Sequence, residues 1–178
     1  MAEKVILVSI AEQRLQLREG NRVLMDVAVS TAANGPGEQA GSECTPRGWH
    51  QVRWKIGAGA PLGAVFVGRR ASGEVYSPAL RAAHPGRDWI LTRILWLCGL
   101  EPGRNRLGTV DTLRRYVYIH GCPDDEVLGR PASHGCVRMR NEDVAELFDR
   151  IPAGTRVWIG EGTLPAATPA PPGLSPCP

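Results

Sequence analysis

LRRYVYIHGC, residues 113–122, is the clearest strand pattern in this 178-residue chain. Successive side chains of a β-strand point to opposite faces of the sheet. Val117 and Ile119 therefore share one face, and Tyr118 and His120 share the other. The aliphatic face suits a hydrophobic core, whereas the face that carries tyrosine and histidine suits the wall of a cleft. The stretch predicts a strand with one side in the core and the other beside a site.

The one clear helix signal is NEDVAELFDRI, residues 141–151. We expect Asn141 to be its N-cap, and the apolar positions from Val144 onward form a single stripe. WILTRILWLC, residues 89–98, is rich in β-branched and aromatic side chains and predicts a central strand. About ten short strands with one clear helix predict a mainly β, single-domain fold of the sandwich or barrel-like kind.

The composition is that of one globular domain, with 43% hydrophobic and 22% charged residues. We predict a domain over residues 1–160 and a Pro/Ala-rich disordered tail over 161–178, because the tail has too little apolar surface to offset its ordering entropy. The net charge of +3 is spread along the chain and does not favour a nucleic-acid partner. No apolar run approaches the roughly 18 residues of a membrane span.

Candidate chemistry lies between the strand and the helix, in His120-Gly121-Cys122 and in SHGCVR, residues 133–138. One interpretation makes Cys136 a nucleophile, because a thiol next to a base and a positive charge can be activated. His120 would supply the base and Arg138 the charge. Gly135 lacks a Cβ, so that backbone amides, including that of Cys136, could approach a reacting carbonyl as an oxyanion hole.

Two other interpretations stay open at this stage. The pairs His120/Cys122 and His134/Cys136 repeat a two-residue spacing and could supply four ligands to tetrahedral zinc. Strong zinc patterns use other spacings, and a closed zinc site would leave the neighbouring serine, glycine and arginine without a role. The same histidines and cysteines could also simply pack and hydrogen-bond in a core. The patterning favours the nucleophile over a non-catalytic metal-binding module.

Tyr118-Ile119-His120-Gly121, the gap to Ser133, and SHGCVRM leading into NEDV resemble the active-site signature of the L,D-transpeptidase (YkuD-type) catalytic domain family. The resemblance is clearest over residues 90–160 and extends over nearly the whole chain except the tail. It implies a bacterial acyltransferase that acts on peptidoglycan stem peptides in cell wall biogenesis and cell shape, with no metal or organic cofactor.

The resemblance also implies roles for two side chains and one carbonyl. Cys136 would attack the carbonyl of the third residue of a stem tetrapeptide, expel the terminal D-Ala and hold the rest as a thioester. His120 would act as general base and then acid, with its ring oriented by the Gly121 carbonyl. An acceptor amine would complete the transfer, giving a crosslink between stem peptides or an attachment. Hydrolysis of the same thioester, as in a carboxypeptidase or endopeptidase, stays open.

The remaining positions of the signature are expected to form the pocket. By the resemblance, Ser133, His134 and Gly135 shape the oxyanion and donor pocket, and Arg138 binds a substrate carboxylate. Tyr118 shares the cleft face with the base and is a candidate substrate contact. β-Lactams of the carbapenem type are expected to be covalent inhibitors.

Cys122 departs from the pattern of the family, which commonly has a small hydroxyl residue at this position. Because Cys122 shares a strand face with His120, we hypothesise that it approaches Cys136 and forms a disulfide that silences the enzyme.

The compartment is not fixed by the sequence. The family implies the periplasm or cell envelope, whereas the apolar run near the first residue is at most six residues long, shorter than a signal-peptide core.

Overall fold

A computed structural model describes residues 2–173 of the chain. Within them lie ten β-strands, two α-helices and a short 3-10 turn. The elements are β1 (Lys4–Ser9), β2 (Arg14–Glu19), β3 (Arg22–Ala28), β4 (Gly48–Ile56), β5 (Ala64–Val67), β6 (Arg70–Val75), α1 (Pro78–Ala83), β7 (Ile90–Gly99), the 3-10 turn Gly108–Val110, β8 (Tyr118–Gly121), β9 (Val137–Met139), α2 (Asn141–Arg150) and β10 (Arg156–Gly160). The mainly β prediction is confirmed. No helix among these residues has the length and apolar character needed to cross a membrane.

All ten strands belong to one hydrogen-bonded sheet. Its main path runs β3-β2-β1-β10-β4-β7, and β8 and β9 continue it beyond β7. β7 is the central strand, as predicted, because one edge pairs with β8 while the other pairs first with β5 and then with β4. The β5–β6 hairpin therefore branches from the ring of strands. Two neighbouring pairs, β1 with β10 and β8 with β9, run parallel.

The ring of strands closes next to β9. Just after β3 ends, the Ser30 N–H donates to the Arg138 carbonyl (3.0 Å), and the Arg138 N–H donates to the Ser30 carbonyl (2.9 Å). Because Arg138 lies in β9, this bridge joins the two ends of the strand path. Closure satisfies backbone groups that would otherwise stand at open sheet edges. The fold is barrel-like, as the sequence predicts.

The main core lies inside this ring, covered by α2. Val117 and Ile119 belong to it, which confirms the predicted aliphatic face. The strand predicted over 113–122 is shorter than expected: it spans only Tyr118–Gly121, because the chain turns just before it and Tyr116 has a φ of +56°. Val144, Leu147 and Phe148 of α2 are buried against the same cluster, as their helical stripe predicts. The other members come from β1, β2, β3, β4, β7, β9 and β10 and from the loops between them.

Both helices differ in part from the sequence prediction. Asn141 is not the N-cap of α2: Arg140 holds that position without a side-chain cap, and Asn141 is the first helical residue. Its amide is instead buried and bonded to neighbouring strands and loops, which competes with capping. The short helix α1 has no equivalent in the prediction, because its six residues bury none of their side chains and leave no apolar stripe.

Residues 161–173 contain no helix or strand. The Ser9 hydroxyl donates to the Gly162 carbonyl (2.6 Å), and Leu164 packs against a cluster that includes Val5 and Trp49. The remainder of the tail predicted from 161 to 178, residues 174–178, lies outside the described residues. The boundary at 160/161 stays a prediction.

Replacing Leu147 by alanine tests the core position of α2. Leu147 is fully buried, so Leu147→Ala should lower the free energy of unfolding by about 2–5 kcal/mol, measured by urea denaturation. Glu146→Ala is the matched control on the same helix: its side chain is 49% exposed and forms a surface ion pair with Arg150, and we expect a change within about 0.5 kcal/mol. Equal effects of the two substitutions would contradict the packing described.

Candidate active site

The parallel pairing of β8 with β9 brings the candidate nucleophile and base together. Ile119 pairs with Val137 and His120 with Arg138. The next position back along both strands places Cys136 beside Tyr118, and the Tyr118 N–H donates to Cys136 Sγ (3.3 Å). Two segments separated by a long loop thus place the thiol two strand positions from the imidazole, and both side chains line one cavity.

A cavity of about 270 Å³ opens over these residues. Six of the sequence-predicted site residues line it, namely Tyr118, His120, Ser133, His134, Cys136 and Arg138. The rest of the wall is formed by Gly68, Arg69, Asp88, Ile90 and Tyr116. Gly121 and Gly135, the other two predicted residues, do not line the cavity and act through their backbones.

The His120 ring is buried and held in one orientation. Its Nδ1 lies 2.7 Å from the Gly121 carbonyl. A carbonyl can only accept, so Nδ1 carries the proton and Nε2 of the neutral ring carries the lone pair. Burial lowers the pKa of His120 below its usual value, because water no longer stabilises the charged ring. At neutral pH the imidazole is therefore uncharged and able to accept a proton.

Close packing requires a glycine at position 121. A Cβ at this position would lie 2.5 Å from Asn141 Oδ1 and 2.6 Å from the Leu91 carbonyl. Both distances are shorter than a real Cβ contact, so only glycine can pass between these groups. The carbonyl that orients His120 is thereby fixed between β7 and α2.

The Cys136 thiol lies half-buried at the wall of the cavity and is uncharged at rest. Sγ lies under the Tyr118 N–H and 3.5 Å from the Tyr116 carbonyl. Burial raises the pKa of Cys136 to about 12, against the opposing effects of the Tyr118 N–H and of Arg138 and Arg115. In the part of the chain that the structure describes, no hydrogen bond joins Sγ to His120. A thiol that keeps its proton in this way needs a general base before it can act as a nucleophile.

The family follows from a comparison with known sequences. The YkuD family model, described as the L,D-transpeptidase catalytic domain, matches residues 3–159. The chain belongs to this family. The probable L,D-transpeptidase ErfK/SrfK of Salmonella typhimurium is 31% identical over 156 residues, which are 86% of this chain and 43% of that protein. The chain thus spans less than half the length of this curated relative.

Solved structures of L,D-transpeptidases share the fold. The enzyme from Xylanimonas cellulosilytica aligns with a TM-score of 0.56 at 22% identity, over 89% of this chain and 61% of that one. LdtMt1, whose structure is known in complex with imipenem, aligns with a TM-score of 0.53 at 16% identity, over 88% and 58% of the two chains. At these identities the likeness establishes the architecture of this L,D-transpeptidase family member.

The nucleophile loop of the L,D-transpeptidase domain is held from two sides. The Ser133 hydroxyl donates to the Cys136 carbonyl (2.5 Å) and accepts from the Gly135 N–H (3.2 Å). The Thr45 hydroxyl donates to the Gly135 carbonyl (2.9 Å). Gly135 has a φ of +126°, and a Cβ there would be 3.2 Å from the Cys44 carbonyl. A glycine is therefore needed for the loop to dock on residues far upstream.

Arg115 is a site residue that sequence analysis misses. Its guanidinium donates to the Cys44 carbonyl (2.7 Å) and to the Gly37 carbonyl (3.2 Å). It thereby ties the upstream loop to the segment that leads into β8. Its charge is also one of those that oppose the rise in the pKa of Cys136. Nothing in the local sequence distinguishes Arg115 from neighbouring Arg114, because its partners are carbonyls of a distant loop.

Arg138 already faces carboxylates of the protein. Its guanidinium lies 3.1 Å from the Glu126 carboxylate and 3.4 Å from that of Asp88. His134 Nδ1 is 4.0 Å from the same Asp88 carboxylate. The positive charge that the family resemblance assigns to a substrate carboxylate is thus balanced within the chain.

The hypothesis of a disulfide between Cys122 and Cys136 is wrong. Cys122 follows the far end of β8, and its thiol donates to the Met139 carbonyl (3.3 Å), whereas Cys136 lies beside Tyr118. Four strand positions separate the two levels, about 13 Å, and a disulfide needs Cα atoms within about 7 Å. Both cysteines are free thiols, and burial raises the pKa of Cys122 to about 12.

The zinc interpretation finds no support in the geometry. Because Cys122 and Cys136 lie at opposite ends of β8, the four proposed ligands do not converge. Within residues 2–173, no group of three or more histidine, cysteine, aspartate or glutamate side chains is placed to hold a metal ion.

Two buried polar side chains, Thr92 and Asn141, form hydrogen bonds that support the strand carrying His120. The Thr92 hydroxyl donates to Asn141 Oδ1 (2.5 Å) and accepts from the Gly63 N–H (2.9 Å). Asn141 Nδ2 in turn donates to the Cys122 carbonyl (3.0 Å). Thr92 has a φ of +71°, which is rare for a β-branched residue and is kept only where surrounding contacts enforce it. These bonds hold the chain just after Gly121.

Two substitutions test how much the hydrogen bonds of the Thr92 hydroxyl contribute to stability. Thr92→Val should lower the free energy of unfolding by about 2–5 kcal/mol, because it leaves the Gly63 N–H and Asn141 Oδ1 buried without a partner. Thr92→Ser keeps the hydroxyl and should cost only about 1 kcal/mol. Urea denaturation of the two variants measures the difference. Equal losses would show that the hydroxyl bonds contribute nothing.

The resting state of Cys136 predicts the pH dependence of alkylation. Iodoacetamide reacts with the thiolate, and a pKa of about 12 means that the rate should rise about tenfold per pH unit from pH 7 to beyond pH 10. An ordinary thiol with a pKa of about 8.5 levels off above about pH 9.5. Intact-protein mass against time gives the rate, and Cys136→Ser gives the background from other cysteines. A plateau below pH 9 would contradict the neutral resting thiol.

Proposed function

We propose that the chain is a cysteine-dependent peptidoglycan L,D-transpeptidase in which Cys136 is the nucleophile and His120 the general base. The observation that carries the proposal is the shared cavity: a neutral imidazole with its lone pair on Nε2 lines the same cavity as the Cys136 thiol. Membership of the L,D-transpeptidase family supplies the reaction class. The proposed substrate is a stem tetrapeptide of peptidoglycan.

The first half-reaction forms a thioester. As Cys136 Sγ attacks the carbonyl of the third residue, the thiol proton passes to His120 Nε2. The tetrahedral intermediate then collapses, the bond to the terminal D-Ala breaks, and the imidazolium gives its proton to the leaving amine. The Tyr118 N–H, which already donates to Sγ, stabilises the sulfur as its negative charge develops.

The oxyanion of the intermediate needs backbone donors. The Gly135 N–H is already engaged by the Ser133 hydroxyl, so we assign the main contact to the N–H of Cys136. Ser133 and Thr45 hold the loop from either side. Because these bonds exist before substrate binds, the donors need no rearrangement during the reaction.

The second half-reaction releases the acyl group. An amine of an acceptor stem peptide attacks the thioester carbonyl and gives a proton to His120. The C–S bond then breaks, and His120 returns the proton to Cys136 Sγ, which restores the thiol. This gives a crosslink or an attachment; attack by water would give hydrolysis. LdtMt1, which shares the fold, is known in complex with imipenem, and we propose that carbapenems acylate Cys136 here.

The experiment is intact-protein mass spectrometry with a tetrapeptide donor. Wild-type protein should gain the mass of the donor less D-alanine, and Cys136→Ala should gain nothing. His120→Gln should slow acylation by about 10²- to 10⁴-fold, the usual contribution of a general base. The adduct should disappear faster when an amine acceptor is added, with the amide as product.

Cys122→Ser is the matched control, since that thiol lies away from the cavity and its hydrogen bond to Met139 can be kept by a hydroxyl. It should acylate at the wild-type rate. An adduct that forms on Cys136→Ala would refute the assignment of the nucleophile. Release that yields only the free acid, with or without amine, would identify a hydrolase.

A further inference from the structure

Arg69 stands at the wall of the cavity, in the turn between β5 and β6. Its guanidinium lies over the Tyr116 ring (4.6 Å to the centroid) and the Trp96 ring (5.0 Å). Its Nη1 donates to the Tyr118 hydroxyl (3.1 Å). The two aromatic faces and one hydrogen bond fix a positive charge at a defined place beside the reacting atoms.

The charge of Arg69 has no carboxylate to balance it among residues 2–173. The other arginine of the cavity wall, Arg138, lies against both Glu126 and Asp88. Arg69 forms one hydrogen bond, to a neutral hydroxyl, and a guanidinium has five N–H donors in a fork that matches a carboxylate. A negative group entering the cavity therefore meets a free cation at Arg69 and a neutralised one at Arg138.

The backbone around this cation is strained. Arg69 and Tyr116 have φ values of +66° and +56°, in the left-handed region that non-glycine residues seldom occupy. Such conformations persist where surrounding structure holds them and cluster at functional sites. Here the two left-handed residues are the ones that stack on each other, the guanidinium of Arg69 on the ring of Tyr116.

Tyr118 sets the distance from Arg69 to the nucleophile. Its backbone N–H contacts Cys136 Sγ, and its hydroxyl at the other end contacts the guanidinium. The cation and the sulfur are therefore separated by the length of one tyrosine. A carboxylate one residue away from the attacked carbonyl would fall within reach of Arg69.

We propose that Arg69 binds a carboxylate of the donor stem peptide while Cys136 attacks the neighbouring carbonyl. The inference rests on the proposed function and assigns to Arg69 the carboxylate contact that the family resemblance gives to Arg138. Two carboxylates of the donor have the required chemistry: that of the terminal D-Ala, and that on the side chain of a diamino acid at the third position.

Three donors distinguish the two carboxylates. The first is the free tetrapeptide, the second carries an amide at the terminal D-Ala, and the third carries an amide on the third-residue side chain. Acylation rates of wild type, Arg69→Lys and Arg69→Gln are measured by intact mass with each donor.

With the free donor, Arg69→Gln should lower kcat/KM by about 10- to 100-fold, the usual effect of a charge-assisted bond, and Arg69→Lys should lower it less. Amidation of the responsible carboxylate should cost the wild type a similar factor. The amidated donor should then react equally with wild type and Arg69→Gln.

Two controls separate binding from damage to the site. Arg70→Gln changes the exposed neighbour on the same hairpin and should leave the rate within about twofold. Alkylation of Cys136 by iodoacetamide, a neutral reagent, should be unchanged in Arg69→Gln.

A loss in Arg69→Gln that is the same for all three donors would overturn the inference and leave the proposed function standing. If no donor acylates even the wild type, the proposed function fails and this inference fails with it.

Discussion

The parallel pairing of β8 with β9 is the constraint on which the site depends. In an antiparallel hairpin the residues nearest the turn would face each other, and Cys122 would be the neighbour of the SHGC loop. Parallel strands instead align their beginnings, so the chain must cross from the end of β8 back to its start. Cys136 consequently arrives beside Tyr118, two positions before His120. The bridge from Ser30 to Arg138 then closes the ring next to this pair of strands.

The periodicity of apolar residues was sufficient to predict those strands and helices that pack one face against the core. The alternation at 113–122 separates Val117 and Ile119 from Tyr118 and His120, and the structure divides them in the same way. The central strand, predicted at 89–98, is found at Ile90–Gly99. These predictions succeed because burial repeats with the period of the secondary structure, which a single sequence displays.

What the sequence could not show depends on contacts between distant segments. Thr45 and Arg69 reach the site from a loop and a turn, where no periodicity marks their role. Arg115 belongs to the stretch predicted as a strand at 113–122, but the strand begins only at Tyr118, and the bonds of Arg115 to a distant loop leave no trace in that pattern. Asn141 has the composition of an N-cap, but tertiary bonds to Thr92 and the chain beyond Gly121 take its side chain instead. The sequence also does not show that β9 runs parallel to β8. The disulfide hypothesis failed for this reason, because parallel pairing separates Cys122 from Cys136.

The raised pKa of Cys136 has a consequence for its resistance to oxidation. Peroxides oxidise thiolates, and a sulfur that keeps its proton is a poor target for them. In the proposed mechanism the thiol gives up that proton only while a donor occupies the cavity. That mechanism would confine the thiolate to the moment of catalysis, so that Cys136 resists oxidation better than a permanently ionised thiol.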